Sequence, residues 1–266
     1  VETPALDDAR YAGIARLYGV AGLARLRAAH VVVVGIGGVG GWAAEALARS
    51  GVGQLTLIDG DDVCVSNSNR QVVALSDTVG QPKAAVMAAR IRAIDPACRV
   101  AALQAFVTPS NIGELLPAAD GVIDACDALK AKQALVVHCR RRKIPIITVG
   151  AAGGRTDPTQ VRVRDLSKTE HDKLLSLLRM KLRDDNGYTR NPKRYFGVPA
   201  VYSLEHPRWP DAEGGVCPAK PGVAGEAAGL DCGGGLGSAT HVTGAFAFAA
   251  VATLIGRLVA ARSGSD

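Results

Sequence analysis

Over the first 150 residues the apolar positions come in blocks, not in strict alternation. His30-Val-Val-Val-Val34 is a continuous β-branched run, which predicts a strand buried on both faces. Trp42 to Arg49 is a helical block with small residues on one side, ended by Gly51 and Gly53. Gln54 to Asp59 is a second apolar strand. Strand, glycine turn, helix and strand follow within 30 residues, which predicts a parallel βαβ unit.

The same blocks continue. Pro4 to Leu26 predicts one or two short helices, and Gln81 to Ile94 a helix with Pro82 in its first turn. Arg99 to Phe106, Gly121 to Ala125 and Pro145 to Gly150 predict strands; Ile112 to Leu116 and Lys130 to Lys143 predict helices. Beyond Gly150 the pattern changes. Gln160 to Arg164 alternates as a half-exposed strand does, Lys168 to Asp184 is a charged helix, and Tyr195 to Leu204 fits another strand. Arg208 to Gly237 has little periodicity and predicts a long, partly mobile loop. His241 to Ala261 predicts a closing helix. The expected fold class is α/β: a Rossmann-like, doubly wound, mostly parallel sheet with a C-terminal antiparallel extension. Residues 1–150 form the nucleotide-binding half; residues 151–266 extend the same domain.

Composition narrows this picture. With 266 residues, 48% of them hydrophobic, the chain can bury a full core without disulfides or metal. None of its six cysteines makes a C-x-x-C pair, so no zinc is expected. Glu2, Asp7, Asp8 and Arg10 interrupt any apolar run near the start, which predicts no secretory leader there, reduced thiols and a cytoplasmic location. The charge of +6 is unevenly placed. Residues 139–220 carry 17 Lys and Arg against 9 Asp and Glu, whereas the remainder carries 14 against 16. That segment is either a solvated helical face or a docking surface for a polyanion such as RNA. Val242 to Ile255 is apolar for 14 residues, short of the roughly 20 a membrane span needs, so a core helix is favoured over membrane association.

Gly35, Gly37 and Gly40 match G-x-G-x-x-G between a strand and a helix, with Gly38 inside the turn. The first glycine permits the turn, the second lets a phosphate approach the backbone, and the third lets helix and strand pack closely. The helix N-terminus then offers N–H groups to an anion. Asp59 ends the next strand, where an acid can bond ribose hydroxyls. Alone, this pattern most often means a dinucleotide. Asn67, Arg70, Lys83 and Asp127 follow in order and change the expectation. Two cations near the phosphates suit a triphosphate, and a nearby acid suits Mg²⁺. The bland alternatives are a loop cap for Asp59, surface charges for Arg70 and Lys83, and a helix cap for Asp127, with Asp124 as the working acid in its place.

These blocks together resemble the ubiquitin-activating-enzyme-like superfamily, which includes the adenylyltransferases of sulfur carrier proteins. The carrying residues are Gly35 to Gly40, Asp59, Ser66 to Gln71, Gly80-Gln-Pro-Lys83 and Val122 to Asp127. Within it the chain is most similar to the tRNA threonylcarbamoyladenosine dehydratases. Ala15 to Gly19, Gly35 to Arg49, Asp62 to Gln71, Cys139 to Pro145, Gly153 to Gln160, Gly215-Val-Cys217 and Asp231 to Thr240 carry that likeness. The resemblance implies ATP and Mg²⁺, a tRNA substrate, and formation of an acyl-adenylate that closes into a ring. By analogy Asn67, Arg70 and Lys83 handle phosphates and Asp127 handles the metal. A homodimer is implied as well, with Arg16 standing in for the arginine that other members place where Gly13 lies, as the residue that reaches the neighbouring subunit's ATP. Cys232, and with it Cys217, is a candidate acyl or sulfur carrier or else an incidental loop thiol. A cysteine desulfurase partner and a bound monovalent cation stay open. Three other activities compete: adenylation of a carrier protein's C-terminus, nicotinamide-dependent oxidoreduction, and non-catalytic sulfur trafficking.

Overall fold

The computed structural model of the protein describes residues 9–211, 213–218 and 236–260. The elements run α1 (Ala12–Ala28), β1 (His30–Val34), α2 (Gly40–Arg49), β2 (Gln54–Ile58), α3 (Lys83–Ile94) and β3 (Arg99–Leu103). Next come α4 (Ile112–Leu115), β4 (Gly121–Asp124), α5 (Leu129–Arg141), β5 (Ile146–Val149), β6 (Val161–Asp165) and α6 (Lys173–Asn186). The last are β7 (Pro199–Ser203), β8 (Trp209–Pro210), β9 (Val216–Cys217) and α7 (Thr240–Val259).

Seven strands form one sheet in the order β3-β2-β1-β4-β5-β7-β6. All pairings are parallel except that of β6 with β7. β1 lies between β2 and β4, with Val31 in register with Leu55 on one side and Gly121 on the other. Its continuous apolar run follows from burial on both faces. Val31 and Val33 pack towards α1, α2, α3 and α7, while Val32 and Val34 pack towards α4, α5 and α6. α2 presents Gly40, Ala43, Ala44, Leu47 and Ala48 to the sheet. Its small residues bring the helix close. Leu47 is fully buried, and truncating it to Ala would cost about 2–5 kcal/mol.

Several boundaries differ from the sequence expectation, each for a local reason. α1 begins at Ala12 and kinks at Gly19, whose φ of 77° only glycine adopts readily. α3 begins at Lys83, with Pro82 just outside it as the capping residue. β3 stops at Leu103, short of Phe106. α6 begins at Lys173, not Lys168, because Asp165 caps a short 3-10 turn over Leu166–Lys168 and Asp172 then caps the helix through the Leu175 N–H. Within 208–237 the described residues include a two-stranded hairpin, Trp209 pairing with Cys217. The closing helix is longer than its apolar stretch, 20 residues, and is long and apolar enough to cross a membrane by length and composition. It packs here as a core helix, with Val242, Phe246, Ala250 and Leu254 buried against α2 and the sheet.

Candidate nucleotide and acceptor site

The strand order reverses direction between β1 and β4, and the carboxyl ends of these strands open into a cavity of about 530 Å³. Open α/β sheets bind ligands at such a switch point. The glycine turn forms its floor. Gly35 has φ 86°, and a side chain there would press on the Ala125 carbonyl at 2.9 Å. A Cβ on Gly40 would overlap the Gly35 carbonyl oxygen. Gly37 is different: the nearest atom to its missing Cβ is the Gln71 Nε2, 3.8 Å away, so its backbone faces open space. The turn is thus sterically fixed at its ends and accessible in its middle.

Asp59 locks β2 to this turn. Its Oδ2 accepts from the Ile36 N–H at 2.5 Å and its Oδ1 from the Asp61 N–H at 2.8 Å. Burial pushes its carboxyl up, against the pull of those two hydrogen bonds. Lys83 is buried at the first turn of α3, with its Nζ 2.9 Å from the more exposed Asp61 Oδ2. A cation at a helix N-terminus opposes the dipole, so this placement is favourable only beside negative charge. Arg70 also lines the cavity. One guanidinium nitrogen reaches the Ser66 carbonyl at 2.8 Å and Asn69 Oδ1 at 3.0 Å, leaving further donors for a ligand. The Arg70 carbonyl accepts from Trp42 Nε1 at 3.2 Å and Thr243 Oγ1 at 3.4 Å, which ties the loop to α2 and α7.

Asp127 lies exposed at the mouth, just before α5, which Ala128 caps. Among the described residues it is the cavity-lining carboxylate with no hydrogen bond or ion pair; Asp59 and Asp61 are engaged as above. Asp124 sits beneath the floor, fully buried, bound by Lys132 Nζ at 3.0 Å and Thr148 Oγ1 at 2.6 Å. Cys126 donates to Asp124 at 3.0 Å; burial first, and then that carboxylate, push its thiol well up, so it stays protonated and a poor nucleophile.

The structure gathers Gly35, Gly37, Gly38, Asp59, Arg70, Lys83 and Asp127 around one cavity, with Gly40 opening the helix behind them. Asn67 is placed otherwise. It is buried, and its Oδ1 accepts from the Cys64 N–H at 3.1 Å, capping the 3-10 turn Val65–Asn67. Arg16 is exposed on α1 and does not line the cavity of its own chain. Cys232 lies outside the described residues. Cys217 belongs to the hairpin, its Sγ 3.5 Å from the Trp209 carbonyl.

Other lining residues escaped the sequence. Gln71 is buried with its Oε1 unpartnered among the described residues, an acceptor that a ligand hydroxyl or amine can satisfy. Its place at the end of the Asn-Ser-Asn-Arg-Gln run was the available signal. Lys173 and Trp209 lie at the β5 end of the cavity and carried no motif at all.

A glycine turn on a helix N-terminus, flanked by two cations at a switch point, defines a nucleotide-binding doubly wound α/β protein. The sequence model of the ThiF family matches residues 10–260, so the chain belongs to that family, and its likeness to tRNA threonylcarbamoyladenosine dehydratases spans nearly the whole chain. It is 50% identical over 252 residues to the tRNA threonylcarbamoyladenosine dehydratase of Escherichia coli K12, covering 94% of each chain. A crystal structure of the E. coli enzyme in complex with ATP superposes with a TM-score of 0.85 at 46% identity, covering 99% of this chain and 100% of that one. The SAMP-activating enzyme E1 of Haloferax volcanii is 42% identical over 129 residues, covering 48% of each chain.

Proposed function

We propose that this chain dehydrates threonylcarbamoyladenosine in tRNA, using ATP to activate the threonyl carboxylate. The observation that carries this is the extent of the likeness: identity to the E. coli dehydratase covers 94% of both chains, whereas identity to the SAMP-activating enzyme covers 48%. A shared nucleotide half is common to both activities. The second half, which builds β6, β7 and the far wall of the cavity, goes with the tRNA enzymes.

The geometry supports the following chemistry. ATP lies over the glycine turn with its ribose near Asp59 and its phosphates towards Arg70 and Lys83. A carboxylate oxygen attacks the α-phosphorus, the bond from that phosphorus to the bridging oxygen breaks, and pyrophosphate leaves with the electron pair. Arg70 and Lys83 neutralise the charge that develops on the phosphoryl oxygens, preorganised where water would otherwise have to reorient. The ureido group of the same substrate then attacks the activated carbonyl, loses its proton and expels AMP. Ring closure is intramolecular, so proximity supplies most of the acceleration and no protein nucleophile is required. The free carboxylate of Asp127 fits a Mg²⁺ held mainly by phosphate oxygens, a hard ion that would further neutralise the polyphosphate.

The basic segment 139–220 supplies a surface for the tRNA body. Arg162 and Arg164 project from β6 at the sheet's open edge, and Arg140 to Lys143 cluster, exposed, where α5 ends. A homodimer in the cytoplasm, with Arg16 and its exposed neighbour Leu17 at the subunit contact, completes this picture. A sulfur-relay partner would find a partly buried thiol at Cys217.

ATP–pyrophosphate exchange tests the activity directly. Exchange should require tRNA bearing the modification; exchange with a Gly-Gly-tailed carrier protein alone would replace this function with carrier activation.

A further inference from the structure

The cavity continues beyond the space a nucleotide needs. With the ribose at Asp59 and the phosphates directed at Arg70 and Lys83, on the loop and helix that follow β2, the cavity extends away from these cations towards β4 and β5. From β2 to β5 is three strand steps, roughly 14 Å. In-line attack comes from the side opposite the leaving pyrophosphate, so a group attacking the α-phosphorus enters from the β4–β5 end. That end is lined by Gly150 to Gly153, Lys173, Leu174, Trp209 and Leu236.

This end is a built wall. The Arg208 N–H donates to the Gly154 carbonyl, and the Gly154 N–H to the Gly237 carbonyl, each at 2.7 Å. Gly154 has φ 75°, and a Cβ there would meet the Arg208 carbonyl at 2.9 Å. At the other end of the loop, a Cβ on Gly150 would overlap the Asp172 carboxylate, which itself accepts from Ala151 N and Leu175 N at 2.9 Å. Three separate stretches of chain are therefore stitched together around Gly150–Gly154, and they fix where Lys173 and Trp209 stand.

Lys173 is the first residue of the 14-residue helix α6, exposed at the cavity, with no hydrogen bond or ion pair among the described residues. Asp172 beside it is turned inward and spent on backbone donors and on the Arg155 guanidinium, 3.8 Å away. The ammonium thus sits at the positive end of a helix with no local counter-charge, a position favourable only when an anion arrives. The Trp209 indole, half-buried at the start of the hairpin, lines the same end. A cation for an acid and an aromatic face for a base are what a nucleoside carrying a carboxylate requires.

Given the activity proposed above, we propose that this end is the acceptor-nucleoside subsite: Lys173 Nζ pairs with the threonyl carboxylate, and the Trp209 ring stacks on the modified purine. Lys173 orients the attacking oxygen towards the α-phosphorus. Trp209 holds the base extruded from the tRNA stack.

The test compares the intact protein with K173A, K173R, W209A and W209F, on one tRNA with and without the threonylcarbamoyl group. K173A should weaken binding of the modified tRNA, and raise its KM, by on the order of tenfold to hundredfold. Affinity for the unmodified tRNA and KM for ATP should hold. K173R should recover most of the loss, and W209F more of it than W209A. An equal loss on both tRNAs would make Lys173 a phosphate contact and overturn the subsite, as would an effect on ATP alone. If the unaltered protein shows no modification-dependent exchange, the activity itself fails; if it does and K173A matches it, only the subsite fails.

Discussion

The Lys132 ammonium lies 3.0 Å from both carboxylate oxygens of Asp124, and neither side chain touches solvent. The pair is satisfied further by Thr148 Oγ1 and by the Cys126 carbonyl, 2.8 Å from Nζ. It joins β4, α5 and β5 directly below the cavity floor. Removing one partner strands the other charge in the core. K132A should therefore cost about 3–5 kcal/mol of unfolding free energy, read by urea titration. A K132M/D124N double variant should recover part of that cost, because no buried charge remains.

A second buried carboxylate gives a pH signature. Asp95 accepts from Arg27 Nη1 at 2.5 Å and Tyr11 Oη at 2.9 Å, tying α1 to the end of α3. Burial pushes its carboxyl up, but Arg27 and Tyr11 more than offset this and hold it below the usual carboxylate range. A native value below the unfolded one means stability that is complete above the unfolded pKa of about 3.9, and is lost as pH falls from there through the native value. Unfolding free energy should fall more steeply below about pH 4 in the unaltered protein than in D95N. D95N should already be less stable by about 1.5–3 kcal/mol at neutral pH. Parallel pH profiles would rule Asp95 out as the source.

Two glycines of one turn should separate folding from binding. A methyl group at Gly40 collides with the Gly35 carbonyl, backbone against backbone, so G40A should lose about 1–3 kcal/mol or fail to fold. G37A meets nothing nearer than 3.8 Å. It should melt close to the unaltered protein yet lose the upward Tm shift that ATP produces.

The phosphate contacts proposed for Arg70 and Lys83 predict distinct kinetic losses. R70A and K83A should each lower the rate of adenylate formation by roughly 10²–10³-fold, read in single-turnover pyrophosphate release. D127N should instead shift the Mg²⁺ concentration at half-maximal rate upward. An unchanged Mg²⁺ profile would move the metal contact elsewhere.

What the sequence disclosed and what it hid follow a physical line. The strands β1, β2, β4 and β5 were legible because burial on both faces leaves mainly apolar runs, and the glycine turn because a backbone this crowded admits no side chain at Gly35 or Gly40. Asn67 was ambiguous: a polar residue beside an arginine suits a ligand and a turn cap equally, and its bond to the Cys64 N–H appears only in the fold. The start of α6 was misplaced because Lys168 continues the helical charge pattern, while Asp165 and Asp172 each cap a separate turn. Lys173 and Trp209 had no signal, since 36 positions separate them and their segments meet only through the fold, with the His171 and His206 rings 4.0 Å apart and Arg155 bonded to the carbonyls of both His171 and Glu205.

α7 has a consequence in time. Its Thr243 packs against Gly38 and reaches the Arg70 carbonyl, and its Thr240 Oγ1 donates to the Asn69 carbonyl at 2.6 Å. The phosphate loop is synthesised early, but the residues that clasp it are made some 170 positions later. A ribosome-bound chain can form the βαβ unit without holding its arginine in place. Nucleotide capture is thereby deferred until the second half has also been made.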